Sequence, residues 1–176
     1  MATTYTLISS VTVGSGGAST IGFSSIPSTY TDLVVRLSLR TNATNGYFIE
    51  QIYMQFNNDT TMGRYSFRNL SSDGSTPTSD ATSSGDKFYV DFAPCATATS
   101  NTFSNSEIYI PNYAGSNQKS VSTNRTGENN NTQSYMGFQA SLYNQTTAIS
   151  SIQITPNQGN NYVQYSTAYL YGISNA

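Results

Sequence analysis

The stretch that organises this chain is Thr31 to Arg40, TDLVVRLSLR. Leu33, Val35, Leu37 and Leu39 alternate with Val34, Arg36, Ser38 and Arg40, so at the two-residue period of a strand one face is wholly apolar. Wound as a helix, the same leucines and valines would spread over too wide an arc to form one stripe. The neighbouring β-branched residues Val34 and Val35 also prefer a pleated surface. The segment is a core strand. Pro27, which has no N–H for a ladder, marks its entry, and the turn-forming run Thr41 to Gly46 marks its exit.

The same alternation recurs along the chain. Tyr5, Leu7, Val11 and Val13 lead through Gly14 to Gly17 into Ser19 to Phe23, which reads as a hairpin. Ile52, Met54 and Phe56 mark a strand over Ile49 to Phe56, and Arg64 to Leu70 is a weaker one. Phe88, Val90 and Phe92 alternate with Lys87, Tyr89 and Asp91 and stop at Pro94; Ile108 and Ile110 face inward against Glu107 and Tyr109 and stop at Pro111. Met136, Phe138, Ala140 and Leu142 read as another inward set, and Ile152 with Ile154 as a short one. The last strand, Tyr162 to Ile173, has apolar groups on both faces, which places it inside its sheet. Ser71 to Asp86 and Asn112 to Gln133 are polar and read as long surface loops, the second with a short strand at Lys119 to Arg125.

Nine or ten strands without a helix predict an all-β fold, a two-sheet antiparallel sandwich of jelly-roll type. A single domain over residues 1–176 suits the length. The expected core comprises Leu33, Val35, Leu37, Leu39, Ile52, Met54, Phe56, Phe88, Val90, Phe92, Ile108, Ile110, Phe138 and Leu142.

Only 9% of the residues are charged and the net charge is −2, so no basic patch exists to neutralise phosphates or anionic lipid; neither nucleic acid nor membrane is an expected partner. The first ten residues hold no charged segment followed by an apolar core, and the chain is expected to be made in the cytoplasm. There is no histidine, which removes Ser-His-Asp and Cys-His catalysis and the commonest metal ligand together. The one cysteine, Cys95, sits beside Pro94 with no neighbouring base and is expected to pack. Glu50, Glu107 and Asp91 are the carboxylates to weigh as a glycosidase pair, but on strand faces they read as solvated charges. Asp73, Asp80 and Asp86 lie on the first long loop without the close spacing of a calcium site. No enzymatic activity, no metal and no cofactor are expected.

Tyrosine offers a flat apolar face and suits interfaces. Outward Tyr53, Tyr109 and Tyr169, with Arg36 and Arg40, are candidates for a protein interface, although the arginines also suit cross-strand pairing with carboxylates. Tyr162, Gln164 and Tyr165 are candidates for glycan contact, and Tyr53 beside Gln51 and Gln55 has the same ring-plus-amide chemistry.

Three segments carry a resemblance. Ile26-Pro27-Ser28-Thr29-Tyr30-Thr31-Asp32-Leu33, Met54-Gln55-Phe56-Asn57-Asn58-Asp59-Thr60 with Tyr65 and Asn69, and Gln164-Tyr165-Ser166-Thr167-Ala168-Tyr169-Leu170-Tyr171-Gly172-Ile173 resemble small β-sandwich structural proteins of tailed bacteriophages, many from marine and cyanobacterial hosts. The match spans nearly the whole chain in order. Where that pattern has glycine in the turn after the Gln-Phe-Asn strand, this chain has Asn58, which tolerates the same left-handed conformation. The resemblance implies a virion component, on the capsid surface or in the tail. A compact sandwich with two polar loops and no shaft points to a capsid decoration or cement protein on the major capsid protein lattice. The alternative is a tail-fibre or tail-associated module that recognises host surface glycan among tail proteins. Homo-oligomerisation is expected in either place.

Overall fold

The computed structural model describes residues 4–44 and 46–174 and contains, among them, twelve strands and no helix. These are β1 (Tyr5–Thr12), β2 (Ile21–Phe23), β3 (Asp32–Ser38), β4 (Ile49–Phe56), β5 (Tyr65–Ser72), β6 (Pro77–Gly85), β7 (Phe88–Pro94), β8 (Asn105–Ile110), β9 (Lys119–Glu128), β10 (Ser134–Tyr143), β11 (Ile152–Pro156) and β12 (Thr167–Ile173). They form two antiparallel sheets, eight strands in the order β1-β12-β3-β8-β9-β10-β5-β6 and four in the order β2-β11-β4-β7. One apolar core joins Leu33, Val35 and Leu37 of β3 to Ile52, Met54 and Phe56 of β4, all at most 3% exposed. On the opposite face of β3, Val34 is buried as well, paired with Tyr171 and Tyr109 on the flanking strands.

The chain passes repeatedly between the sheets, but two hairpins, β5–β6 and β9–β10, stay in the larger one. They add four strands beyond β8, and β9, β10 and β5 face β7, the edge of the smaller sheet. Glycine makes that approach possible. A Cβ on Gly127 would lie 2.1 Å from the Phe92 carbonyl oxygen, so any side chain there would force β9 away from β7.

Several expectations are corrected. Among the described residues the strand count is twelve, because both polar stretches contain full strands. Pro77–Gly85 pairs with β5 and Lys119–Glu128 pairs with β8 and β10, held by main-chain ladders that need no large apolar side chain. Tyr5 to Phe23 is not a hairpin: β1 pairs with β12 in the larger sheet and β2 with β11 in the smaller, so Gly14 to Gly17 carries the chain between sheets. β12 starts at Thr167 and is flanked on both sides, by β1 and β3, as an interior strand should be.

The strand β10 is inverted. Met136 is 47% and Phe138 51% exposed, and Leu142 is only half-buried, while Gly137, Gln139, Ser141 and Tyr143 face inward. Phe138 and Leu142 therefore leave the expected core. Asp91 also turns inward, because β7 carries an irregularity opposite Ile52/Tyr53 that leaves Val90 as an extra residue and shifts the alternation behind it. In the turn after β4, Asn57 and Asn58 both adopt φ 54°, the left-handed conformation that asparagine tolerates best after glycine.

Candidate functional site

Where β7 faces the added hairpins, a cleft of about 460 Å³ opens between the sheets. Its aromatic lining comes from Tyr47, Phe48, Tyr89, Phe92 and Tyr135, and its polar lining includes Glu50, Asn69, Asp80, Arg125 and Gln158. The period-two pattern of β9 puts Lys119, Val121, Thr123, Arg125 and Gly127 on the inner face, which carries Arg125 into this space at only 1% exposure.

Arg125 is held from three sides. Its Nη1 donates to Gln139 Oε1 at 3.1 Å and its Nη2 to Asn69 Oδ1 at 2.6 Å, while the guanidinium lies 4.4 Å from the Phe92 ring centroid. Gln139 is itself oriented by Nε2 donating to the Tyr89 carbonyl at 2.8 Å and to Ser141 Oγ at 2.7 Å, so its oxygen is left for Arg125. Gly137 makes room beneath, since a Cβ there would lie 3.0 Å from Arg125 Nε and 3.2 Å from the Phe92 ring. Burial pulls the guanidinium down to about 10, opposed by the nearby Asp91 charge, and it stays a cation at neutral pH. Among the described residues it forms no ion pair, and its Nε–H has no hydrogen-bond partner.

Glu50, on β4, is the second buried charge that lines the cleft, at 2% exposure. Its Oε1 accepts from the Gln158 N–H at 3.1 Å and from Asn160 Nδ2 at 2.9 Å; its Oε2 has no partner among the described residues. The cleft thus combines flat apolar walls, a guanidinium with N–H groups to spare and a carboxylate oxygen without a partner among the described residues, the composition of a site that binds a ligand carrying hydroxyl groups.

The residues singled out from the sequence are placed differently. Arg36 and Tyr169 stand in register on the outer face of the larger sheet, and Arg36 makes an exposed cross-strand ion pair with Glu107 at 2.7 Å. Tyr109, nearby on the same sheet, donates its hydroxyl to Asp32 at 2.7 Å. Tyr53 is on the other sheet, its ring 4.7 Å from that of Tyr89 at the side of the cleft and covered by Lys87. Arg40 is buried: its guanidinium donates to the carbonyls of Ala98, Thr99 and Thr102 at 2.9, 2.8 and 3.2 Å, tying down the loop after β7 and leaving nothing for an interface. Tyr162 is 0% exposed and cannot touch a glycan, whereas Gln164 and Tyr165 are exposed.

Asp73 closes the β5–β6 turn by accepting from the N–H groups of Ser75 and Thr76 at 2.9 and 3.2 Å. Among the described residues no three His, Cys, Asp or Glu side chains gather to hold a metal. Cys95 is buried, and burial pushes its thiol up to about 11.

Arg125 and the cleft escaped the sequence reading because Asn112 to Gln133 looks like a surface loop, with only a short strand at Lys119 to Arg125 and no sign that this strand is buried. The signal that was present is the alternation of Lys119, Val121, Thr123 and Arg125 with Ser120, Ser122 and Asn124, polar on both sides and hence unlike an ordinary half-buried strand. No protein-family model matches the chain, and no curated protein matches it. What defines it is its architecture, an all-β protein of two antiparallel sheets with a polar, aromatic-walled cleft at the margin of the smaller one.

Proposed function

We propose that this chain is a non-enzymatic structural protein of a phage virion, a capsid decoration or cement protein that lies on the major capsid protein lattice with the outer face of its larger sheet. The observation that carries this reading is the group of large apolar side chains that β5 and β10 turn outward. Leu70 and Phe138 stand directly opposite each other, with Met136 two residues along, and the three are 55%, 51% and 47% exposed. Single exposed apolar residues are ordinary; large ones in register on two paired strands are the kind of surface that adheres to another protein. The same sheet exposes Tyr5, Leu7 and Tyr169 at its other end, so a symmetric association of copies can use it too.

The strand order supports a jelly-roll sandwich. With the two added hairpins set aside it reduces to β1-β12-β3-β8 facing β2-β11-β4-β7, two four-stranded sheets linked as Greek keys. Quantifying copies per particle and locating them by particle reconstruction tests the function. Hundreds of copies on the shell are expected; a handful at the tail would reject a cement role.

A second reading, a tail-associated module that recognises host surface glycan, is favoured by the cleft beside β7, which a purely adhesive protein does not need.

A further inference from the structure

We infer that the cleft between β7 and the added hairpins is a binding site for a short neutral saccharide, with Arg125 and Glu50 as its polar anchors and Tyr89, Phe92 and Tyr135 as its walls. This deepens the glycan-binding reading by assigning the site and the sugar class, and it rests on the cleft alone, not on where the protein sits in a virion.

Three observations choose the ligand. First, Arg125 Nε–H and Glu50 Oε2 are buried and have no partner among the described residues, one a donor and the other an acceptor. A sugar hydroxyl donates and accepts at once, so a saccharide offers partners to both kinds of anchor, whereas a simple anion or cation offers only one. Second, the charged lining comprises Arg125 against Glu50 and Asp80, and Arg125 already gives both terminal nitrogens to amide oxygens. An acidic sugar would meet two carboxylates and a single cation, so the neutral class fits. Third, an extended peptide cannot simply add to the β7 edge here, because the Gln139 amide occupies the Tyr89 carbonyl that a new strand would need. The apolar faces of a pyranose ring instead match the aromatic walls, where Phe92 meets Tyr135 edge-on at 5.1 Å between centroids.

The test is an NMR titration of the full chain with maltose, cellobiose, N,N′-diacetylchitobiose and digalacturonic acid, each up to millimolar concentration. At least one neutral disaccharide is expected to bind, with shifts centred on residues of the cleft. Glu50→Gln and Tyr135→Ala should each weaken it about tenfold or more, whereas Phe138→Ala on the outer face should leave it unchanged. Unchanged thermal melting of Tyr135→Ala, whose ring is only partly buried, separates loss of binding from loss of fold. Binding of digalacturonic acid alone, no binding across the panel, or affinity indifferent to both cleft variants would each overturn the inference. Copy number in the virion is scored separately, so the saccharide site and the cement role can fail independently.

Discussion

Asp91 gives the sharpest test of how the interior is built. It is fully buried on β7, where it accepts from the Ser104 and Ser106 hydroxyls and from the Phe92 N–H at 2.8 Å. Burial pushes its carboxyl up from 3.8 to about 6, against the opposing pull of those donors and of Arg125. The folded protein therefore holds the proton more tightly than the unfolded chain. The resulting stability is fully present below the unfolded value of 3.8 and is lost as pH rises through about 6. At about 1.4 kcal/mol per pH unit the gap corresponds to roughly 3 kcal/mol. Asp91→Asn keeps the shape and cannot ionise; its amide oxygen still accepts, and its NH2 can donate to a serine oxygen. Urea titrations followed by tyrosine fluorescence, run on both proteins between about pH 3.5 and pH 7.5, should show the stability difference moving in favour of the variant by up to about 3 kcal/mol as pH rises. The other carboxylates titrate alike in both chains and drop out of the difference. Any constant offset from the changed hydrogen bonds leaves the slope untouched. Parallel profiles, or a difference that moves the other way, would refute the reasoning.

Leu37→Ala, at a position 3% exposed, should cost about 2–5 kcal/mol, whereas Ser38→Ala should be nearly neutral; equal denaturant midpoints would sink the placement of β3. Gly127→Ala must push β9 from the Phe92 carbonyl and should lose about 1–3 kcal/mol, while Gly14→Ala, with nothing within 4 Å of its Cβ, should lose far less in the same thermal melt. Host-type surface polysaccharides incubated with the pure protein should keep their chain length on gel filtration; shortening abolished by Glu50→Gln or Glu107→Gln would show an enzyme instead.

Legibility in the sequence followed hydrophobic alternation. β3, β4 and β8 were readable because each has one face that only a core can accept, and Leu33, Val35, Ile52, Met54, Ile108 and Ile110 are all buried. β6 was not, because its nine residues from Pro77 to Gly85 bury almost nothing and owe their conformation to the ladder with β5. Strand pairing was not readable either. The glycines after β1 look like a hairpin turn whether the chain doubles back in one sheet or crosses to the other, and only the partners β12 and β11 decide. Of the candidate site, Glu50 was noticed as a carboxylate and Arg125 passed over. The property that matters, burial without a charge partner, arises from contacts between residues 56 and 14 positions apart, Asn69 and Gln139 with Arg125.

The inversion of β10 was the most misleading feature, and sterics explain it. Hydrophobic burial alone favours sliding the strand by one residue, which would turn Met136, Phe138 and Leu142 inward and exchange every face. The space they would enter is taken. At Gly137 even a methyl group would crowd Arg125 Nε and the Phe92 ring, at 3.0 and 3.2 Å, so a phenylalanine or methionine there would have to expel both. At the far end Tyr143 is locked in the core against Tyr65, ring centroids 4.8 Å apart, and against Phe56 at 5.5 Å. Its hydroxyl donates to Asp59 at 2.8 Å, an interaction that a one-residue slip would break. The register is thus fixed by a glycine at one end and a tyrosine at the other, and the apolar side chains between them are left outside. A polar cleft and an exposed apolar face consequently stand back to back on the same two strands, each the complement of the other in one alternating sequence.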